Sequence, residues 1–250
     1  MNILLNTIRA IFFDLDDTLC DARSAFRAGR DAAFQALLAR SPGLDEGRLR
    51  ATWARVNGEL FSALDAGVML MADVRRERFR RTLRALDLAD DALADQLDLL
   101  LGETQLRQLT LFPDAVVLDA LRGQFPLGII TNGAGDGHPD SQRTKAAHLG
   151  LLDRVDTVWV SDDMGWRKPD PRAFRPAFEM LGLDPVACLY VGDSLTTDIA
   201  GAAVSGMASA LIWRDARPFA PAPDGPDGPR PTVVLASLLE LPRLVAPLPG

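Results

Sequence analysis

Cysteine is nearly absent from this 250-residue chain, which has only Cys20 and Cys188. Far apart in sequence, they make neither a disulfide framework nor a metal-ligand spacing, and two free thiols of a reducing compartment are expected. No apolar stretch approaches the ~20 residues that a membrane span needs. The apolar start MNILLNTIRAIFF lacks a basic opening and a small-residue cleavage site, so no signal peptide is expected. Positive charge is in deficit: 27 Lys and Arg stand against 34 Asp and Glu, for a net charge of -7. That argues against a nucleic-acid polymer as partner, which wants clustered Lys and Arg. A small phosphorylated substrate remains compatible, because one metal ion can reverse the field locally. The reading is a cytoplasmic protein with no membrane or nucleic-acid partner, monomeric or homodimeric.

What the chain does have is an ordinary globular composition, 48% hydrophobic and 24% charged, and a change of pattern along its length. Residues 9–13 read as a buried strand that stops at Asp14, Asp16 and Asp17. From Asp21 to about Leu109 the patterning is only helical, in four amphipathic stretches separated by breakers such as Ser41-Pro42-Gly43. After Phe112-Pro113-Asp114, helices near 114–123, 141–149, 171–182 and 197–206 alternate with strands near 127–131, 155–161, 187–193 and 208–213. Such alternation predicts an α/β fold: a Rossmann-like parallel sheet with helices on both faces. The helical block becomes an inserted all-helical cap domain, residues 20–111, within a core of 1–19 and 112–250. The Pro- and Gly-rich stretch 218–231 reads as an exposed loop, followed by a last short strand and helix.

The ends of the predicted strands carry the chemistry. Asp14 and Asp16 follow the first, Thr131-Asn132-Gly133 the second and Gly192-Asp193-Ser194 the fourth, with Asp198 five positions beyond Asp193. Lys168 lies in the loop after the third. Parallel strands point their carboxyl ends one way, and a doubly wound sheet binds ligands there. Four carboxylates against one lysine call for a further cation, and hard oxygen ligands suit Mg²⁺. The same place would receive a phosphoryl group, through Lys168, the Thr131 hydroxyl and the main chain of Asn132-Gly133.

DLDDT (14–18), ITNG (130–133), RKPDP (167–171) and GDSLTTD (192–198), in this order, resemble the haloacid dehalogenase superfamily, specifically its phosphatase branch. The resemblance implies a phosphatase that hydrolyses a small phosphomonoester through a phospho-aspartate. Asp14 would be the nucleophile and Asp16 the general acid, then base. Thr131, with Asn132 and Gly133, would hold the phosphoryl oxygens, and Lys168 would neutralise charge between them and Asp14. Mg²⁺ would be held by the Asp14 side chain, the Asp16 main-chain carbonyl and Asp193, with Asp198 completing the acidic site. His138 and His148 match no catalytic position of that family, and the Arg75–Arg81 run reads as a solvated face of the cap. TNG followed by Gln142, Lys145 and GDSLTTDI looks like the nucleotidase and sugar-phosphatase subgroup, pointing to a nucleoside 5'-monophosphate or sugar phosphate. The rivals are a phosphomutase, a 2-haloacid dehalogenase, which has no leaving alcohol for Asp16 to protonate, and a non-catalytic phosphate-binding protein.

Overall fold

The structure, a computed structural model, describes residues 7–214 and 228–245. Most of the stretch 218–231 lies outside the described residues. The chain divides into two compact units. The first comprises residues 1–21, 111–132 and 149–250, and the second residues 22–110 and 133–148.

The first unit is built on a parallel sheet. Its strands are β1 (Ala10–Phe13), β2 (Leu127–Thr131), β3 (Thr157–Val160), β4 (Cys188–Gly192), β5 (Ala208–Ile212) and β6 (Val233–Leu235). They lie in the order β3-β2-β1-β4-β5-β6. β1 is therefore central, and the winding reverses beside it, between β1 and β4. Every residue of β1, β2 and β4 is buried, as expected where both faces are covered. One such face packs Phe12, Ile130, Phe174, Ala177, Tyr190 and Met207 together. Full burial of side chains of this size contributes roughly 1.5–3 kcal/mol each. Cys20 and Cys188 are both buried, and neither is in a disulfide.

Several helices of this unit are shorter than the sequence pattern suggests. The stretch 114–123 is a 3-10 turn, Pro113–Val116, before a short helix, Val117–Leu121. The stretch 171–182 is likewise a 3-10 turn and then Arg175–Leu181. Pro113 and Pro171 open the two 3-10 turns, and Pro176, without an N–H, stands in the first turn of the helix Arg175–Leu181. Residues 197–206 open as a π-turn, Leu195–Ile199, and continue as a short α-helix, Ala200–Val204.

The second unit contains four long helices, α1 (Ala22–Arg40), α2 (Glu46–Asp65), α3 (Met71–Ala85) and α4 (Asp91–Gln108). Asp45 and Asp90 cap α2 and α4 by accepting main-chain N–H bonds. Phe34, Trp53, Phe79, Leu83, Leu97 and Leu101 are among the residues that fill the interior. The segment 133–148, which carries a short helix at Gln142–His148, clusters with these helices.

Two arginines of the basic run depart from the solvated-face reading: Arg75 and Arg78 are buried. Arg75 pairs with Asp136. Arg78 lies 2.8 Å from Asp98 and 3.5 Å from Asp140, which Lys145 also approaches at 3.4 Å. Burial raises the Asp140 carboxyl, but the charges of Lys145, Arg78 and Arg75 outweigh it and hold the group below its ordinary value. His138 accepts the Asp140 N–H on Nδ1, so the imidazole proton sits on Nε2, 3.3 Å from Asp98. Gly102 makes room for this ring, since a Cβ there would fall 2.7 Å from the His138 Cε1. The acidic partners come from α4 and from 133–148, segments that periodicity within α3 cannot reveal.

Asp114 joins three parts of the first unit. Its Oδ2 accepts from Arg214 at 2.5 Å, from the Ser237 hydroxyl at 3.1 Å and from the Leu238 N–H at 2.9 Å. Arg214 also stacks on Phe112 and donates to the Thr18 carbonyl at 2.7 Å. Burial raises the Asp114 carboxyl, yet these donors together hold it below its ordinary value. A carboxyl depressed by folding stabilises the fold above about pH 4, its unfolded pKa, and that contribution is lost as pH falls through the folded value. We therefore expect Asp114→Asn to cost about 1–3 kcal/mol at pH 7. The thermal midpoints of wild type and variant should converge as pH is lowered from 5 to 3. A gap that stays constant over that range would refute the assignment.

Candidate active site

The end of β1 is held by its neighbour. The ladder with β4 runs one residue past the strand, because the Asp14 N–H donates to the Val191 carbonyl at 2.9 Å. This fixes Asp14 at the carboxyl edge of the sheet, at the point where the winding reverses. The chain then turns back sharply: Leu19 and Cys20 both donate to the Leu15 carbonyl, at 3.0 and 3.3 Å, and Asp17 donates to the Cys20 carbonyl at 2.8 Å. Asp17 sits at the turn with φ of 60°, a left-handed conformation that Asp tolerates better than most residues.

Lys168 is the centre of the site. It is buried, and its ammonium reaches three oxygens at 2.7 Å each: Asp14 Oδ1, Asp198 Oδ1 and the Tyr190 hydroxyl. An ammonium has three protons, so this set of acceptors uses them all. Burial lowers the Lys168 pKa, but Asp14 and Asp198 outweigh it and the group is held above its ordinary value. For Asp14 the balance goes the other way. Burial raises its carboxyl most; Lys168 pulls it down, while Asp198 and Asp193 push it up, and the result lies well above the usual carboxylate range. The Tyr190 hydroxyl is raised by burial first and then by the charges of Asp198 and Asp14. It stays a neutral phenol.

The main chain around Lys168 is clasped as well. Asn132 accepts the Lys168 N–H on Oδ1 at 2.9 Å and donates from Nδ2 to the Lys168 carbonyl at 3.0 Å. Thr131, at the end of β2, is buried. Asp198 lies in the π-turn after β4; its Oδ2 accepts the Ser194 N–H at 3.0 Å while Oδ1 faces Lys168. Gly192 is what lets Asp198 approach, because a Cβ at 192 would fall 2.5 Å from the Asp198 Cβ.

The acidic residues fall into two groups. Carboxylate oxygens of Asp14, Asp193 and Asp198 all lie within 4.8 Å of one another. Asp193 also accepts from the Thr18 hydroxyl at 3.5 Å. The Asp16 carboxylate is not part of this cluster; the residue is half-buried in the turn beyond Asp14. Gly133 begins the segment that clusters with the helical unit. Of the residues gathered round Lys168, the sequence pattern does not single out Tyr190. Inside CLYVG it reads as one more apolar strand residue.

The chain matches the family model of the haloacid dehalogenase-like hydrolases over residues 8–206. Among curated relatives, the N-acylneuraminate-9-phosphatase of Homo sapiens is 29% identical over 246 residues, covering 96% of this chain and 95% of that protein. The phosphoserine phosphatase of Thermus thermophilus is 30% identical, covering 93% of this chain and all of that protein. Among solved structures, the HAD-hydrolase YfnB of Bacillus subtilis bound to magnesium is 27% identical, with a TM-score of 0.69 over 96% of this chain and 99% of that one. A 2-haloacid dehalogenase from Pseudomonas syringae is 28% identical, with a TM-score of 0.71 over 95% of this chain and 97% of that one. With its parallel sheet, its ordered motifs and a family match over most of its length, the chain belongs to the haloacid dehalogenase-like hydrolases.

Proposed function

We propose that the protein is a Mg²⁺-dependent phosphatase of small phosphomonoesters, with Asp14 as nucleophile. The observation that carries this reading is the buried contact between Lys168 and Asp14 at the carboxyl edge of the sheet, next to a cluster of three carboxylates. Lys168 pairs with Asp14 and Asp198, yet Asp14 is still driven towards protonation, by burial first and then by the charges of Asp198 and Asp193. A nucleophilic carboxylate has to be ionised. A hard divalent cation would meet that requirement and fits that oxygen donor set. Asp14 and Asp193 would hold it, with the Asp16 main-chain carbonyl; when bound it would keep Asp14 ionised and offset charge on the phosphoryl oxygens. Both Asp198 oxygens already accept hydrogen bonds, from Lys168 and Ser194, so its part in the metal site is to orient and to add charge.

Hydrolysis then takes two steps. In the first, an Asp14 oxygen forms a bond to phosphorus as the ester oxygen leaves, and Asp16 gives that oxygen its proton. In the second, Asp16 takes a proton from water as the water oxygen attacks the phosphorus of phospho-Asp14, releasing orthophosphate and the free carboxylate. Lys168 faces the bond being made and offsets charge on the phosphoryl oxygens. Thr131 and the Asn132-Gly133 main chain supply further donors. We assign the choice of the organic group to the helical cap. A nucleoside 5'-monophosphate or sugar phosphate is the substrate class we put first. The two buried thiols suit a reducing compartment, and we place the enzyme in the cytoplasm. Among the described residues no helix is long and apolar enough to cross a membrane.

A dehalogenase reading draws on the Pseudomonas syringae structure, but it leaves Asp16 without a leaving group to protonate. The test is release of phosphate from a panel of nucleotides, sugar phosphates, N-acylneuraminate 9-phosphate and phosphoserine, with Mg²⁺ and with chelator, alongside halide release from 2-haloacids. We expect Mg²⁺-dependent phosphate release that falls by at least about a thousandfold in Asp14→Asn, and no halide. Halide release without phosphate release would replace this reading with the dehalogenase one.

Gly192→Ala gives an independent check on the geometry. The added methyl must displace Asp198, which removes one anchor of Lys168. We expect turnover to drop about a hundredfold, in line with the cost of a displacement of about 1 Å near the chemistry. Wild-type turnover in this variant would count against the role of Asp198.

A further inference from the structure

We infer that Tyr190 is a positioning residue of the reaction, one that ties Lys168 to the peptide leading into Thr131. This rests on the phosphatase reading for its consequence, but on geometry for its substance. Tyr190 projects from β4 and is completely buried. Its ring packs edge-on against Phe174, with centroids 5.0 Å apart. Its hydroxyl has two acceptors in reach, the Ile130 carbonyl at 2.8 Å and Asp198 Oδ1 at 3.4 Å, and its one proton goes to the shorter contact. The hydroxyl accepts from the Lys168 ammonium at 2.7 Å and donates to the Ile130 carbonyl at 2.8 Å. A hydroxyl has one proton and two lone pairs, so the donated bond to Ile130 turns a lone pair towards Lys168. Ile130 is on β2, and its carbonyl belongs to the peptide whose nitrogen is that of Thr131. One phenol oxygen thus sets the relative placement of the lysine from the loop after β3 and the threonine at the end of β2.

The other two acceptors of Lys168 are carboxylates that also face the acidic cluster. Tyr190 is the neutral one. When a phosphoryl group draws on a lysine proton, the two carboxylates compete with it as anions, whereas the phenol holds the ammonium in place without adding negative charge. Phenylalanine would keep the ring packing. It would also leave a lysine proton and the Ile130 carbonyl without this partner.

Three variants read this out. Tyr190→Phe should fold, keep KM within about twofold and lose about tenfold or more in kcat, the size expected for a hydrogen bond to a charged group. Phe174→Leu, which loosens the ring packing but keeps the hydroxyl, should lower the thermal midpoint and leave kcat within about twofold. An unchanged kcat in Tyr190→Phe would overturn the proposal, as would an equal kcat loss in Phe174→Leu or an effect on KM alone. Tyr190 is the chain's single tyrosine, so protein made with 3-fluorotyrosine carries one ¹⁹F probe at this site. Its resonance should shift in Lys168→Met in the absence of any substrate. An unmoved resonance would overturn the link between the two residues, even if Tyr190→Phe fails to fold or the wild type cleaves no ester.

Discussion

The ammonium of Lys168, buried and shared among Asp14, Asp198 and Tyr190, is the constraint on which the rest of the site depends. Taking a lysine and two carboxylates out of water costs several kcal/mol per ion. Attraction at 2.7 Å repays this only when every proton finds an acceptor, and here all three do. The pair is lopsided nonetheless. Lys168 is held charged, while Asp14, with Asp193 and Asp198 beside it, is pushed towards its neutral form. A site that satisfies its lysine while Asp14, the nucleophile we propose, is pushed towards its neutral form is one whose donor set favours a further cation. The same balance favours a phosphoryl group only in company with that cation.

Much of this was legible because the site we propose sits at strand ends. An apolar run that stops at Asp14, and three further runs that end in Thr131, a lysine loop and Asp193, can be read one by one. The parallel sheet then brings them to one edge. The sheet order supplies what the runs alone do not: β1 lies at the centre, with β2 and β4 on either side, so Asp14 stands between Thr131 and Asp193. The four helices of the insertion were equally legible, since α1, α2 and α3 each carry an apolar face and α2 and α4 their own capping aspartates.

What the pattern hid was contact between residues distant in sequence. Tyr190 in CLYVG looks like core, and by its ring it is core; its role depends on a carbonyl 60 residues earlier and a lysine 22 residues earlier. Arg75 and Arg78 look like part of a solvated charge run. Their burial depends on Asp98, Asp136 and Asp140, which lie outside α3. Leaving an arginine unpaired in such a place would cost several kcal/mol, so the acids and the basic residues had to be placed together. Periodicity reports which side of a helix is apolar, but not which polar residues on that side meet a partner.

The same distinction separates the two kinds of aspartate in this protein. Asp114 is buried and Asp140 largely so, yet each faces more donors than its burial can offset, and both are held below their ordinary pKa. They are fixed charges that tie segments together. Asp14 is enclosed too, but it faces two other carboxylates and a lysine that it shares with one of them. Burial alone does not tell a structural carboxylate from the one we propose as the nucleophile. The sign of the remaining neighbours does: surplus positive charge fixes a carboxylate in place, and a shortage of it leaves the group able to respond when a cation and a phosphoryl group arrive.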